Sequence, residues 1–157
     1  MSRAVLVLAL GAVAVLGVRA EVGEPVRVVS ESMSPTLHRG DVVLVDKLDR
    51  TPRRDQLVTF DSPEDGSRTL KRVVGVAGDV VAIRDAVLSV NDVVVTEPYV
   101  DHESIDALYY GPVTVPAGHV LVLGDRRAGS VDSRAYGPVR LDALTGRVVA
   151  RLWPPVR

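Results

Sequence analysis

The stretch Thr69-Leu70-Lys71-Arg72-Val73-Val74-Gly75-Val76 decides the fold class of this chain. It is followed by the turn Ala77-Gly78-Asp79 and by a second apolar run over residues 79–83. Glycine and aspartate favour turns, whereas β-branched valine packs better on a pleated sheet than on a helix. The pattern therefore predicts two consecutive strands joined by a turn.

Similar apolar runs between turn residues continue on both sides, and valine makes up about a fifth of the chain. A tight hairpin is predicted at Val90-Asn91-Asp92, and helix only over residues 103–109 and 141–144. The fold class is therefore mostly β, a folded-over antiparallel β-barrel or sandwich behind one N-terminal apolar helix. After a short linker at residues 23–25, strands are predicted over residues 26–30, 41–46, 56–60, 69–76, 79–83, 86–90, 93–96, 119–123 and 147–152.

Length, charge and cysteine content exclude several function classes. A chain of 157 residues is long enough for one domain with a real core. The net charge is −1, and acidic and basic residues are interleaved, so no basic patch for nucleic acid is expected. The absence of cysteine excludes disulfides, thiolate metal sites and a cysteine nucleophile.

An uncharged apolar run covers residues 4–18 between Arg3 and Arg19. It is shorter than the roughly 17 to 25 residues of a typical spanning helix, although flanking arginines can snorkel. A cleavable signal peptide is the alternative, but Val18-Arg19-Ala20 puts valine where a small residue is preferred. We expect residues 1–20 to form a membrane anchor or signal-like segment, and residues 21–157 to form a single β-rich catalytic domain.

A serine segment and one lysine carry the candidate chemistry. In the extended segment Ser30-Glu31-Ser32-Met33-Ser34-Pro35, side chains two apart share a face, so Ser30 and Ser32 can point together. A lysine acts as a base only when it is neutral, and Lys71 is surrounded by apolar neighbours that disfavour the ammonium. The other lysine, Lys47, lies near Asp46 and Asp49, which would hold it charged.

Structural explanations also exist for these residues. The serines could cap a turn, and Lys71 could be an edge-strand lysine that deters aggregation. The segment 124–137 is rich in turn formers, and Asp125, Asp132 and Arg134 could tie this loop down through charge-assisted hydrogen bonds or form an ordinary surface loop.

Three segments together resemble the ordered boxes of type I signal peptidases, a family of membrane-anchored serine proteases. They are Ser30 to Leu37, Leu70 to Asp79 and Gly124 to Arg134, and the resemblance spans roughly residues 28 to 137. It implies that Ser32 is the nucleophile, that Lys71 is the general base, and that the Ser30 hydroxyl and the Ser32 amide stabilise the oxyanion.

The third box has supporting roles in this family. The resemblance implies that Ser130 hydrogen-bonds the lysine and that Asp132 and Arg134 form a structural ion pair. Arg126 and Ala128-Gly129 depart from the usual Gly-Asp-Asn-Arg-x-Asn-Ser form, and this puts the loop's hydrogen bonding in question.

The resemblance also implies partners and location. Substrates would be exported preproteins with small residues before the cleavage site, and membrane lipid would be the other partner. No aromatic residue near Ser32 is available to read larger side chains, and Met33 is expected to contact the substrate. The implied location is the cell membrane, with a single span and the catalytic domain on the extracytoplasmic side. No cofactor and no metal are predicted.

Several alternatives stay open. Within the family, the chain could be a dedicated maturation protease, such as the small relatives that trim nickel superoxide dismutase. It could also be a secreted, non-catalytic β module. A self-cleaving repressor would need a DNA-binding helix-turn-helix ahead of the dyad, where this chain has an apolar segment. A histidine base is not favoured, because His38, His102 and His119 lack a nucleophile-elbow context and metal-ligand spacing.

Overall fold

Two antiparallel sheets make up the described part of the protein. A computed structural model describes residues 23–49, 51–100 and 109–154. The mostly β, antiparallel fold class predicted from the sequence is confirmed. A one-turn helix α1 (Ser133–Tyr136) and a 3₁₀ turn (Leu141–Ala143) complete the described elements. In chain order the strands are β1 (Gly23–Arg27), β2 (Val42–Asp46), β3 (Leu57–Asp61), β4 (Arg68–Val76), β5 (Val80–Arg84), β6 (Val87–Val90), β7 (Val93–Val94), β8 (Tyr110–Thr114), β9 (His119–Leu123), β10 (Val139–Arg140) and β11 (Leu144–Trp153).

The larger sheet has 7 strands in the order β1-β2-β11-β3-β4-β9-β10, and the smaller has 4 in the order β7-β6-β5-β8. Strand β11 is the last in the chain, yet it lies inside the larger sheet between β2 and β3. Arg147 of β11 is opposite Asp46 on one side and Val58 on the other. Strand β11 therefore joins one half of the larger sheet, β1 and β2, to the other half, β3, β4, β9 and β10. Strand β4 is also internal, between β3 and β9.

The two sheets pack together where β4 continues into β5. Gly75 allows this approach, because a Cβ at that position would lie 2.6 Å from a methyl group of Val81. The apolar faces on either side exclude water from the junction, as the hydrophobic effect requires. The hydrophobic cluster at this junction consists of the buried residues Val74, Val81, Ile83, Leu88, Val90, Val115, Leu121 and Leu123.

The turn chemistry read from the sequence is found at the β6–β7 connection. Asn91 and Asp92 have φ values of 53° and 62°, as a two-residue hairpin turn requires. Strand β8, by contrast, was not predicted, and it contains the pair Gly111-Pro112, which is unusual inside a strand. The proline is tolerated because β8 is at the edge of its sheet.

Some predicted boundaries are wrong. Residues 23–25 are not a linker but the start of β1, which ends at Arg27 instead of continuing to residue 30. The helix predicted over residues 141–144 is a 3₁₀ turn that ends at Ala143, since Leu144 already belongs to β11. The helix predicted over residues 103–109 falls almost entirely on residues 103–108, which lie outside the described residues.

The predicted anchor, residues 4–18, also lies outside the described residues. Across residues 23–49, 51–100 and 109–154, none of the helices has the length and apolar character needed to cross a bilayer.

Candidate active site

The loop between β1 and β2 carries Ser32, and two of its side chains are buried in the hydrophobic core. Met33 and Leu37 are 1% and 3% exposed, and they pack in one cluster with Val28, Val43 and Val45. The backbone N–H of Leu37 donates to the carbonyl of Met33 at 2.9 Å. The apolar residues after Ser32 therefore anchor the turn and leave the Ser32 hydroxyl at its surface.

Lys71 and Ser32 are brought together although 39 positions separate them in the chain. The Lys71 ammonium nitrogen Nζ lies 2.8 Å from Ser32 Oγ, and Lys71 is only 5% exposed. Strand β4 holds Lys71 opposite Val58 of β3. Because β4 is internal to the sheet, the explanation of Lys71 as an edge-strand lysine is wrong.

Burial lowers the pKa of Lys71 below its ordinary value of 10.5, because the charged ammonium is removed from water. The carboxylates of Asp132 and Asp125 act in the opposite direction, since a negative charge favours the ammonium. Desolvation is the larger influence, so the net pKa shift is downward. The amine is thus better suited to accept a proton than an exposed lysine.

The Ser30 hydroxyl also points to this site. Ser30 Oγ lies 3.1 Å from Ser32 Oγ, as expected for side chains two apart on one face. Ser30 is exposed and Ser32 is half-buried. The two hydroxyls and the amine therefore form one contiguous polar group at the mouth of the site.

Arg72 faces away from Lys71 and joins the three segments to each other. Its guanidinium binds the Asp125 carboxylate through Nε at 2.8 Å and Nη2 at 2.6 Å. Thr36, from the Ser32 loop, donates its hydroxyl to the same carboxylate. The guanidinium also lies 3.8 Å from the centre of the Tyr99 ring. The sequence indicated only that Asp125 would tie a loop down; the partner residues Arg72, Thr36 and Tyr99 were missed.

The third segment is built around the buried carboxylate of Asp132. Asp132 is 0% exposed and accepts hydrogen bonds from the Gly124 amide at 3.0 Å and from Arg134 Nε at 2.8 Å. Arg134 also donates to the carbonyls of Arg127 and Ser130. The arginine and aspartate thus hydrogen-bond the backbone of this loop at several points. The Arg126 amide in turn donates to the Ser32 carbonyl at 3.0 Å, so this segment contacts the backbone of Ser32.

Ser130 does not make the hydrogen bond to Lys71 that the resemblance implied. Its Oγ is buried and, within the described residues, has no hydrogen-bond partner. The hydroxyl instead lies against Gly124, where an added Cβ would collide with it and would come within 2.7 Å of the Ser32 carbonyl oxygen. Gly124 is therefore required for the close approach of the two segments, and Ser130 fills the space beside it.

Two cavities flank the hydroxyl and amine group, and we name them by their chemistry. The apolar cavity has a volume of about 260 Å³, and Val28, Met33, Leu70 and Lys71 are among its lining residues. The polar cavity has a volume of about 320 Å³ and includes the exposed carboxylates of Glu64 and Asp65. Ser30 and Lys71 line both cavities, so the reactive group lies at their junction.

The remaining predicted contributors lie elsewhere. His38 and His119 are absent from the lining of both cavities, and His102 is outside the described residues. The carboxylates predicted from the sequence to hold Lys47 charged are those of Asp46 and Asp49. These two carboxylates bind Arg147 at 3.6 Å and 3.2 Å, because β11 brings that arginine beside β2, and Lys47 lies 3.8 Å from the Glu24 carboxylate.

Comparison with known proteins gives a consistent result. Residues 1–153 match the family model described as signal peptidase, peptidase S26. The chain is 38% identical to thylakoidal processing peptidase 1 of Arabidopsis thaliana, over 87% of this chain and 44% of that protein. It is 36% identical to a probable signal peptidase I-2 of Synechocystis sp., over 90% of this chain and 68% of that protein. The chain thus spans less than half of the chloroplast relative and about two thirds of the cyanobacterial one.

A solved structure agrees with these sequence matches. The crystal structure of a signal peptidase I from Enterococcus faecalis superposes with a TM-score of 0.58 at 30% sequence identity, and covers 63% of this chain and 97% of that one. Together with the family model and the relatives, this likeness establishes that the chain belongs to the signal peptidase family, peptidase S26.

Proposed function

We propose that this protein removes signal peptides from exported preproteins, with Ser32 as nucleophile and Lys71 as general base. One observation carries the proposal: a buried amine lies 2.8 Å from a serine hydroxyl. This distance is within the reach required for proton transfer between a nucleophile and its base. The lowered pKa of Lys71 supports the role, because a base must hold its amine neutral at the working pH.

The reaction follows from this geometry. Neutral Lys71 Nζ takes the proton of Ser32 Oγ while Oγ attacks the scissile carbonyl carbon. The Ser30 hydroxyl, 3.1 Å from Ser32 Oγ, and the Ser32 amide donate to the oxyanion that develops. The Lys71 ammonium then returns the proton to the leaving amine, and an acyl-enzyme on Ser32 remains. Lys71 next takes a proton from a water molecule while the water oxygen attacks the acyl carbon. The bond from that carbon to Ser32 Oγ then breaks, the signal peptide leaves with a new carboxyl group, and Lys71 returns the proton to Ser32 Oγ.

The third segment has a supporting role in this proposal. The ion pair of Asp132 with Arg134 and the van der Waals contact of Ser130 with Gly124 fix the backbone that binds the Ser32 carbonyl. The apolar cavity suits a small aliphatic residue before the scissile bond, because Val28, Met33 and Leu70 on its wall can pack against such a side chain. Exported preproteins with small residues at that position are therefore the proposed substrates.

Residues 1–20 are proposed as a membrane anchor, with residues 21–157 as one catalytic domain on the extracytoplasmic side. The interval from residue 18 to Ser32 spans at most about 45 Å when fully extended, so the site stays near the bilayer. The Arabidopsis relative whose name places it in the mitochondrial inner membrane, 38% identical over 128 residues, is consistent with a membrane location.

The test is cleavage of a preprotein panel by the full-length protein in lipid vesicles, with Ser32→Ala as the matched inactive variant. We expect cleavage after small residues by the parent alone, and a mass increase at Ser32 after treatment with an acylating inhibitor. Cleavage of one preprotein in the panel would indicate a dedicated maturation protease. No cleavage and no acylation would contradict the proposal and leave a secreted, non-catalytic β module.

A further inference from the structure

A buried ion pair lies behind the third segment and takes no part in the chemistry described above. Glu97, which follows β7, has a side chain that is 0% exposed, and its partner Arg127 has one that is 1% exposed. Arg127 Nη1 donates to Glu97 at 2.9 Å, and Nη2 donates to the other carboxylate oxygen. The two planar groups therefore meet in a two-point contact, which is the strongest arrangement for this pair.

An ion pair at this depth needs an explanation beyond stability. Removing both charges from water carries a desolvation penalty that their attraction does not always offset, and apolar replacements of similar size are often as stable. The exposed pair Arg140–Asp142, with side chains 69% and 65% exposed, carries no such penalty. The contacts of Arg127 indicate a role in positioning the neighbouring backbone.

The third donor of Arg127 reaches the segment that contacts the nucleophile. Arg127 Nε donates to the Gly124 carbonyl at 3.1 Å, so one guanidinium joins Glu97 to the start of this segment. Two residues further on, the Arg126 amide donates to the Ser32 carbonyl at 3.0 Å. A chain of hydrogen bonds thus runs from the Glu97 carboxylate to Arg127 and from Arg127 to the Gly124 carbonyl. The segment that starts at Gly124 then contacts the Ser32 carbonyl through the Arg126 amide.

The same stretch of chain also supports the strand that carries the base. The Tyr99 hydroxyl lies 3.4 Å from the Glu97 carboxylate and 3.1 Å from the Asp55 carboxylate. The Tyr99 ring covers the guanidinium of Arg72, the immediate neighbour of Lys71. Glu97 and Tyr99 therefore act on both sides of the site, on the Ser32 side through Arg127 and on the Lys71 side through the side chain of Arg72.

We infer that Glu97, acting through Arg127, is a positioning residue for the Ser32–Lys71 pair. The inference rests on the proposed function, since it concerns the geometry of that pair. A displacement of about 1 Å in a reacting group can reduce turnover by about a hundredfold. Loss of the Arg127 contact to Gly124 should therefore lower kcat, while KM changes little because neither residue lines the two cavities.

The test separates positioning from stability with a double variant. Glu97→Met alone leaves a buried, unpaired guanidinium and should lower both Tm and kcat. Adding Arg127→Met removes the second charge, so Tm should recover while kcat stays about 10- to 100-fold below the parent, because the Gly124 contact is still missing. The matched control is Arg140→Met with Asp142→Met, the same change at an exposed pair, and it should keep the parent kcat.

A second variant keeps the inference testable if the double variant does not fold. Arg127→Lys retains a cation for Glu97 but cannot bind Glu97 and the Gly124 carbonyl at once, so kcat should fall with KM near the parent value. Parent kcat in the folded double variant, or in Arg127→Lys, would overturn the inference. Ser32→Ala, assayed alongside, separates the two proposals: if it is inactive while these variants are fully active, only the inference about Glu97 fails. Activity in Ser32→Ala would instead overturn the proposed function.

Discussion

The two lysines of the chain occupy opposite environments. Lys71 lies in the middle of the larger sheet, is 5% exposed, and contacts Ser32 at 2.8 Å. Lys47 lies just after β2, has a side chain that is 30% exposed, and lies 3.8 Å from the Glu24 carboxylate. The same side chain is thus next to a hydroxyl in one place and next to a carboxylate in the other. The difference teaches that the fold, through burial and partner, decides which amine can act as a base.

The largest expected effect is the loss of turnover on removing one amine but not the other. Lys71→Ala should lower kcat by about 10⁴-fold or more, as removal of a catalytic base does in serine proteases, whereas Lys47→Ala should leave it unchanged. Lys71→Arg should be as inactive as Lys71→Ala, because guanidinium keeps its proton. Preprotein cleavage by the purified variants, with near-UV circular dichroism as the check of folding, makes the comparison. Substantial activity in Lys71→Arg would contradict the lysine-base mechanism.

A smaller loss is expected at the neighbouring hydroxyl. Ser30→Ala should lower kcat by about 10²- to 10³-fold with little change in KM, since one oxyanion donor disappears while the cavities keep their shape. Single-turnover kinetics on one preprotein would measure it. Ser30→Ala with parent kcat would show that the oxyanion donor is another group, and Ser34→Ala serves as the control in the same loop.

The pH dependence of kcat/KM tests whether the Lys71 amine is buried in the way that the structure shows. Because burial lowers the pKa of Lys71 below 10.5, kcat/KM should rise about tenfold per pH unit while the amine is protonated and level off at a pH below 10.5. The rise belongs to the basic form, so activity is lost on acidification and not on raising the pH. Rates measured from pH 5 to 11, with folding monitored at each point, would show it. A midpoint at 10.5 would place Lys71 in water.

The smallest expected effect is on stability. A lysine whose pKa is lower in the folded than in the unfolded state destabilises the fold, and the penalty is complete below the folded pKa and absent above 10.5. Lys71→Met should therefore raise the free energy of unfolding at pH 7, and its advantage should vanish as the pH passes 10.5. Lys47→Met should change the free energy by no more than about 1 kcal/mol at either pH, because its contact with Glu24 is 3.8 Å long and partly open to solvent. Urea unfolding of both variants and the parent tests this, and an equal effect at the two lysines would contradict it.

The sequence was most informative where structure is local. The run over residues 69–76 is strand β4, and the turn at Asn91 and Asp92 is found, because valine content and positive φ preferences act within a few residues. Ser32 and Lys71 could be predicted as a pair because the segments that carry them resemble the boxes of a known family, and the two side chains do meet. The pairing of Arg127 with Glu97, 30 positions apart, and of Arg72 with Asp125, 53 apart, could not, since tertiary packing alone decides which charges meet. Ser130 was predicted to hydrogen-bond Lys71, but its hydroxyl lies against Gly124, a contact that depends on the absence of a Cβ there.

The central position of β11 has a consequence for biosynthesis. Ser32 belongs to the loop between β1 and β2, while Lys71 belongs to β4 in the β3–β4 pair, and β11 hydrogen-bonds to both β2 and β3. Until residues 144–153 have been synthesised, no strand joins the two halves, and the facing edges of β2 and β3 have unpaired backbone groups. Assembly of the dyad is therefore a late folding event of high contact order, which makes it slow. A nascent chain still lacking β11 therefore carries Ser32 and Lys71 on two parts of the larger sheet that no described strand yet joins.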